Sequence, residues 1–161
     1  MKKVLLLLFV ASSIFSYAQT SDAEAEAVLN LLGVQKKEAI AQLVQIKQKD
    51  SAAFWKLYDE YTKKSIATGK SRIRLYEKTA MSYSSLNSKT ADSLAHLYFD
   101  NRLEKEKTLE EYYQKIKTST NAVTAFEFYQ AEVYILTMVR AHIMQQIPTY
   151  SEYKKLTGMK N

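Results

Sequence analysis

Residues 50–84, DSAAFWKLYDEYTKKSIATGKSRIRLYEKTAMSYS, decide how this chain folds. Phe54, Leu57, Tyr58, Tyr61, Ile66, Ile73, Tyr76, Ala80 and Tyr83 recur there close to the 3.6-residue period of an α-helix. Asp50 stands where a helix N-cap is wanted. Carried from Asp50 to about Ser84, such a helix is roughly 50 Å long at about 1.5 Å per residue. That is well beyond the usual globular helix, so the spacing predicts an elongated architecture. Gly69 interrupts the run at a cost of roughly 1 kcal/mol relative to alanine, which predicts either a kink or a helix held straight by its neighbours.

Downstream, Leu86-Asn87-Ser88 breaks the pattern, and either polar residue can cap a third helix from about Lys89 to Lys117. Its apolar positions are Ala91, Leu94, Leu97, Tyr98, Leu109, Tyr113 and Ile116, while the charged run from Asp100 to Glu111 reads as a solvated face laced with i, i+4 pairs. Thr118 to Asn121 is the next break. A fourth helix follows, carrying Phe126, Tyr129, Val133, Leu136, Val139, Arg140, Ile143 and Ile147, and Pro148 closes it because proline has no N–H to donate. Upstream, Ser21 and Glu24 form a capping-box pattern for a first helix that pauses at Gly33, resumes through Ile40, Leu43, Val44 and Ile46, and ends near Gln48. The tail, 149–161, reads as a loose turn or a disordered end. Only 3 glycines and 1 proline in 161 residues leave few turns to build. The fold class that follows is all-α: an elongated bundle of about four helices built on a long helical hairpin, with a single domain over 19–148.

The first eighteen residues predict a cleaved signal peptide: Lys2 and Lys3, an apolar run from Val4 to Ala11, then Ser16-Tyr17-Ala18 with small residues at −3 and −1 of a cut after Ala18. The apolar run is too short to span a bilayer, so no transmembrane anchor is expected after cleavage. A periplasmic location is expected, with secretion as the alternative. With 0 cysteines there is neither a disulfide framework nor thiol chemistry, and packing alone must hold the fold. The formal charge of +6 loses Lys2 and Lys3 with the signal, which leaves a mild basicity unlike the dense cationic patch of a nucleic-acid binder.

Four segments carry a family resemblance: Asp50 to Tyr61, Leu86 to Leu94, Tyr112 to Ile116, and Ala125 to Glu132 leading to Arg140 and Gln146-Ile147-Pro148. Their order and spacing resemble small bacterial exported helical proteins, mostly uncharacterised, related to the Spy/CpxP periplasmic stress proteins. The helix-start motif of that group, Leu-Thr-x-x-Gln, corresponds here to Leu86, Asn87 and Thr90; the packing leucine and the cap are kept in kind, and the glutamine is replaced. The resemblance implies a bent helical hairpin with flanking helices, often dimeric, and a concave surface. It also implies chaperones that need no nucleotide, or sensory regulators of envelope stress, some with metal ligands.

No reaction is dictated by the residues themselves. There is no Gly-rich phosphate loop and no Gly-x-Ser-x-Gly elbow, and carboxylate pairs such as Asp59-Glu60 diverge on a helix surface. No enzyme activity and no cofactor are therefore expected. His96 and His142 would have to converge with a carboxylate such as Asp92 or Glu132 to hold a metal, and the two histidines do not stand at the i, i+4 spacing from each other that marks such a site, so no metal site is expected. Glu132 and Arg140, two turns apart, read as structural polar contacts that set helix register.

The 12 tyrosines are the unusual feature, giving large rigid contact area with a polar tip. Phe54, Tyr58, Tyr61, Phe126, Tyr129 and Val133 sit on helical stripes and read as core. Trp55, Phe128 and Tyr134 fall off those stripes and are candidates for an exposed protein-binding patch. Arg72 and Arg74 join them from a basic segment that also holds Lys63, Lys64, Lys70 and Lys78, which could steer acidic partners or could simply be a solvated face. The function expected is non-enzymatic and chaperone-like toward unfolded or partner proteins, with a homodimer compatible. The alternative is a sensory module of an envelope stress response that binds one partner or a metal.

Overall fold

The computed structural model describes residues 35–159. The predicted signal peptide and the Ser21–Glu24 capping box lie outside the described residues. Within them the chain is all-α with no strand. A helical segment over 35–43 (α1) is followed by a 3-10 turn at Gln48–Asp50, then by α2 (Ser51–Ser82), a 3-10 turn at Tyr83–Ser85, α3 (Ser88–Ser119), α4 (Ala122–Gln146) and α5 (Tyr150–Thr157).

α2 and α3 form the long antiparallel hairpin. The Lys64–Glu111 ion pair, the Tyr61–Tyr112 ring contact, the Arg72–Asn101 hydrogen bond and the Thr79–Tyr98 hydroxyl contact run in opposite order along the two helices. Each helix has 32 residues, or roughly 48 Å at about 1.5 Å per residue. α2 runs unbroken through Gly69. Beside that glycine the amide of Asn101 donates to the Thr68 carbonyl at 3.0 Å and accepts from Arg72 Nε at 2.7 Å, so α3 supports α2 where its propensity is weakest.

Helix ends follow local chemistry. Asn87 Oδ1 accepts from the Thr90 N–H at 3.1 Å and starts α3 at Ser88. Asn121 Oδ1 accepts from the N–H groups of Val123 and Thr124 and starts α4, which ends before Pro148. Asp50 occupies the N-cap position of α2 without a side-chain cap bond. Two boundaries differ from expectation. α1 ends at 43 rather than near Gln48, because the chain turns out at Val44 to bury that side chain and the Gln45 N–H donates to the Glu127 carboxylate at 2.9 Å instead of continuing the helix. The tail is a helix rather than a loose turn. Thr149 and Glu152 close a capping box, Gly158 ends α5 at φ 68°, and Tyr83 holds it in place through ring contacts with Tyr150 and Tyr153 and a hydrogen bond to the Pro148 carbonyl.

The main apolar core sits at one end of the bundle, where Ile40 and Val44 of the first segment meet Phe54, Tyr58 and Tyr61 of α2, Leu109, Tyr112 and Ile116 of α3, and Phe128 of α4. Phe128 meets Phe54, Tyr58 and Tyr61 edge-on at 6.3, 6.3 and 5.4 Å, geometry that favours each aromatic pair by about 0.5–1.5 kcal/mol beyond its buried area.

Candidate functional site

Between this core and the far end of the hairpin lies a buried polar layer. Glu132 is fully buried; its Oε2 accepts from Lys36 Nζ at 2.8 Å and from the Tyr61 hydroxyl at 2.7 Å. Lys105, half-buried on α3, has its ammonium pushed down to about 8 by burial first and by the charge of Lys36 second, with Glu132 opposing and Arg140 and Arg72 adding to the depression. Glu132 makes the polar contacts expected of it, with Lys36 of α1 as a partner outside any motif, whereas Arg140, expected to share that role, has no such partner among the described residues and lines the cleft beyond.

Beyond that layer a cleft of about 370 Å³ opens between α2, α3, the last turns of α4 and the corner leading to α5. Three guanidinium groups line it, from Arg72, Arg102 and Arg140, and no carboxylate does. Arg72 is half-buried and committed: besides its bond to Asn101, its guanidinium lies over the rings of Tyr98 at 5.1 Å and Tyr76 at 5.9 Å. Burial lowers the Arg72 pKa, and Arg140 lowers it further. Tyr98 is fixed in turn by the Thr79 hydroxyl at 2.9 Å, and its own pKa is raised chiefly by burial. Neither Arg102 nor Arg140 has a hydrogen-bond or ion-pair partner among the described residues. Phe99, Met144 and Ile147 supply apolar wall.

The second feature is the outer face of α4. Its exposed residues are Ala122, Val123, Phe126, Tyr129, Gln130, Val133, Tyr134, Thr137, Ala141, Met144, Gln145 and Gln146, and none carries a charge. Phe126 and Tyr129 stack at 6.5 Å. This face lies opposite the buried one, which is made of Thr124, Ala125, Phe128, Ala131, Glu132 and Ile135.

The candidate residues read from sequence do not form one patch. Phe128 is 0 % exposed, a core residue and not a surface one. The stripe expected in its place, Phe126, Tyr129 and Val133, points outward, with Phe126 50 % exposed. The reason is steric: a ring inserted among Phe54, Tyr58 and Tyr61 needs small neighbours, and Ala125 and Ala131 flank Phe128 where bulkier side chains would hold α4 away. Tyr134 is exposed, as expected. Trp55 is half-buried, edge-on to Phe54 at 5.1 Å and Tyr58 at 5.7 Å and covered by the Lys37 ammonium at 5.3 Å from its ring, so it closes the core rather than standing free. The basic segment divides as well: Arg72 turns into the cleft, Arg74 is exposed on another side of the helix, and Lys64 pairs with Glu111.

His96 is exposed with Nδ1 at 3.0 Å from the Asp92 carbonyl, while His142 places a buried Nε2 on the inner side of α4. Among the described residues no group of three or more His, Asp or Glu side chains is arranged to hold a metal ion, and no helix is long and apolar enough to cross a membrane. The chain matches no known family model, no curated protein and no solved structure.

Proposed function

We propose that this chain is a non-enzymatic exported binding protein, chaperone-like toward unfolded or partner proteins in the periplasm. The observation that carries the reading is the uncharged outer face of α4, where Val123, Phe126, Tyr129, Val133, Tyr134 and Met144 are large, apolar or aromatic, and exposed together. A contiguous face of this kind on a helix whose opposite side is already packed marks a protein-contact surface. Its aromatic side chains give contact area at low conformational cost, which suits varied clients. The resemblance of four sequence segments to the Spy/CpxP proteins motivates the same proposal.

The test is suppression of light scattering by several unrelated unfolding substrates with mature protein in excess. The wild-type protein is expected to suppress aggregation, and a Phe126→Gln, Tyr129→Gln, Val133→Gln variant of unchanged helicity is expected to lose at least about half of that effect, since the stacked Phe126 and Tyr129 and the neighbouring Val133 all belong to the exposed face. Wild-type protein that suppresses nothing overturns the reading. A second reading, a sensory module responding to one ligand or partner, is favoured by the arginine-lined cleft.

A further inference from the structure

The cleft has a composition that the α4 face does not explain. Its lining carries three arginines and no acidic residue; Glu132, on the same helix as Arg140, holds Lys36 and Tyr61, and Glu152 holds the N–H and hydroxyl of Thr149. Arg72 is tied to Asn101 and sandwiched with Tyr76 and Tyr98, so it builds the wall. That leaves Arg102, exposed at the rim, and Arg140, half-buried, without a hydrogen-bond or ion-pair partner among the described residues. A partly buried guanidinium with no counter-charge is costly unless something anionic compensates it, and its planar fork matches a carboxylate or phosphate. On the same wall, Phe99 and Met144 are exposed apolar groups that a headgroup alone would leave wet. A volume of about 370 Å³ falls in the range of small-molecule sites.

We propose that this cleft binds a small amphipathic anion, its carboxylate or phosphate head taken by Arg102 and Arg140 and its aliphatic or aromatic body laid against Phe99, Met144 and Ile147. The site adjoins the outer face of α4 at Met144 but includes none of Phe126, Tyr129 and Val133, and it stands whether or not that face binds unfolded clients.

Isothermal titration of the full mature protein with decanoate, decyl phosphate, decyl glucoside and inorganic phosphate, all below micelle-forming concentrations, tests it. Decanoate or decyl phosphate is expected to bind one-to-one and at least about tenfold more tightly than the neutral glucoside or the bare phosphate, because head and body each contribute. Whichever of the two binds more tightly identifies the head as carboxylate or phosphate. Arg102→Gln is at an exposed position where folding is not at risk, and is expected to weaken the anion about tenfold, as is Arg140→Gln with helicity checked by circular dichroism. The Phe126→Gln, Tyr129→Gln, Val133→Gln variant should bind the anion like the wild type, which keeps failure here distinct from failure of the aggregation test. Equal binding of glucoside and anions, no anion binding up to millimolar concentration, or unchanged binding in both folded arginine variants overturns the proposal.

Discussion

Glu132 shows at the scale of one residue how this bundle handles charge in its interior. Its carboxylate is fully buried, and Lys36 and Tyr61 share one of its oxygens. Such a pair gains little net stability over an apolar substitute, because desolvation offsets the attraction, but it fixes which turn of α4 faces α1 and α2. Around it cations outnumber anions, and Lys105 bears the consequence. Its pKa, depressed to about 8, lies below the value near 10.4 of an unfolded chain. Between those values the unfolded state binds more protons than the folded state, so stability rises with pH across that window. Tyr58 and Tyr61 act in the opposite sense. Burial first and Glu132 second raise their pKa values, and the stability they contribute is lost as unfolded phenols ionise above about pH 10. The urea midpoint is therefore expected to rise between about pH 8 and pH 9.5 and to fall above about pH 10. Lys105→Met should raise the midpoint at pH 7 and abolish the rise; a flat wild-type profile over that interval would remove Lys105 as its source.

At the scale of the helix, boundaries set by one side chain were readable in advance and orientations were not. Asn87 is exposed, and its structural contribution is the bond to the Thr90 N–H, so Asn87→Ala is expected to cost about 1 kcal/mol in urea denaturation without change in the slope. A loss below a few tenths would mean that α3 does not depend on this cap. Asn87, Asn121 and Pro148 are legible because capping is a contact between residues two or three apart, or the lack of one N–H. The same chemistry was present in Thr149 and Glu152, yet α5 is only eight residues long and depends on Tyr83, which is distant in sequence. The inward stripe of α3, Asn101, Lys105, Thr108 and Leu109, lies inside a charged run whose average polarity conceals it. For α4 the period was visible, but its phase was not. Phenylalanine, tyrosine and valine occur on both sides, and only the small residues Ala125 and Ala131 tell which side admits a neighbour. Phe128 is core for that reason, although its place in the sequence reads as exposed. The cleft was out of reach of the sequence, since Arg72, Arg102 and Arg140 come from three helices and share no motif.

For the molecule as a whole, the two ends of the hairpin differ in how they are held. The end near Phe54 is packed by four helical segments around aromatic rings, whereas the end near Tyr83 is joined by tyrosine hydroxyls and surrounds the cleft. Buried apolar contact is the main determinant of resistance to local opening. Amide exchange along α2 is therefore expected to be slowest near Phe54–Tyr61 and at least about tenfold faster near Tyr76–Ser82, with ligand in the cleft reducing the difference. Uniform protection along α2 would show that the hairpin opens only as one unit. The chain has 1 tryptophan, and Trp55 lies against the aromatic core, far along α2 from the cleft. Its fluorescence is thus an internal reporter of one end alone. Heated slowly, the protein carries its own comparison: where the emission curve and the whole-backbone dichroism curve separate, the distance between them measures how tightly Glu132, Lys36 and Asn101 couple the two halves.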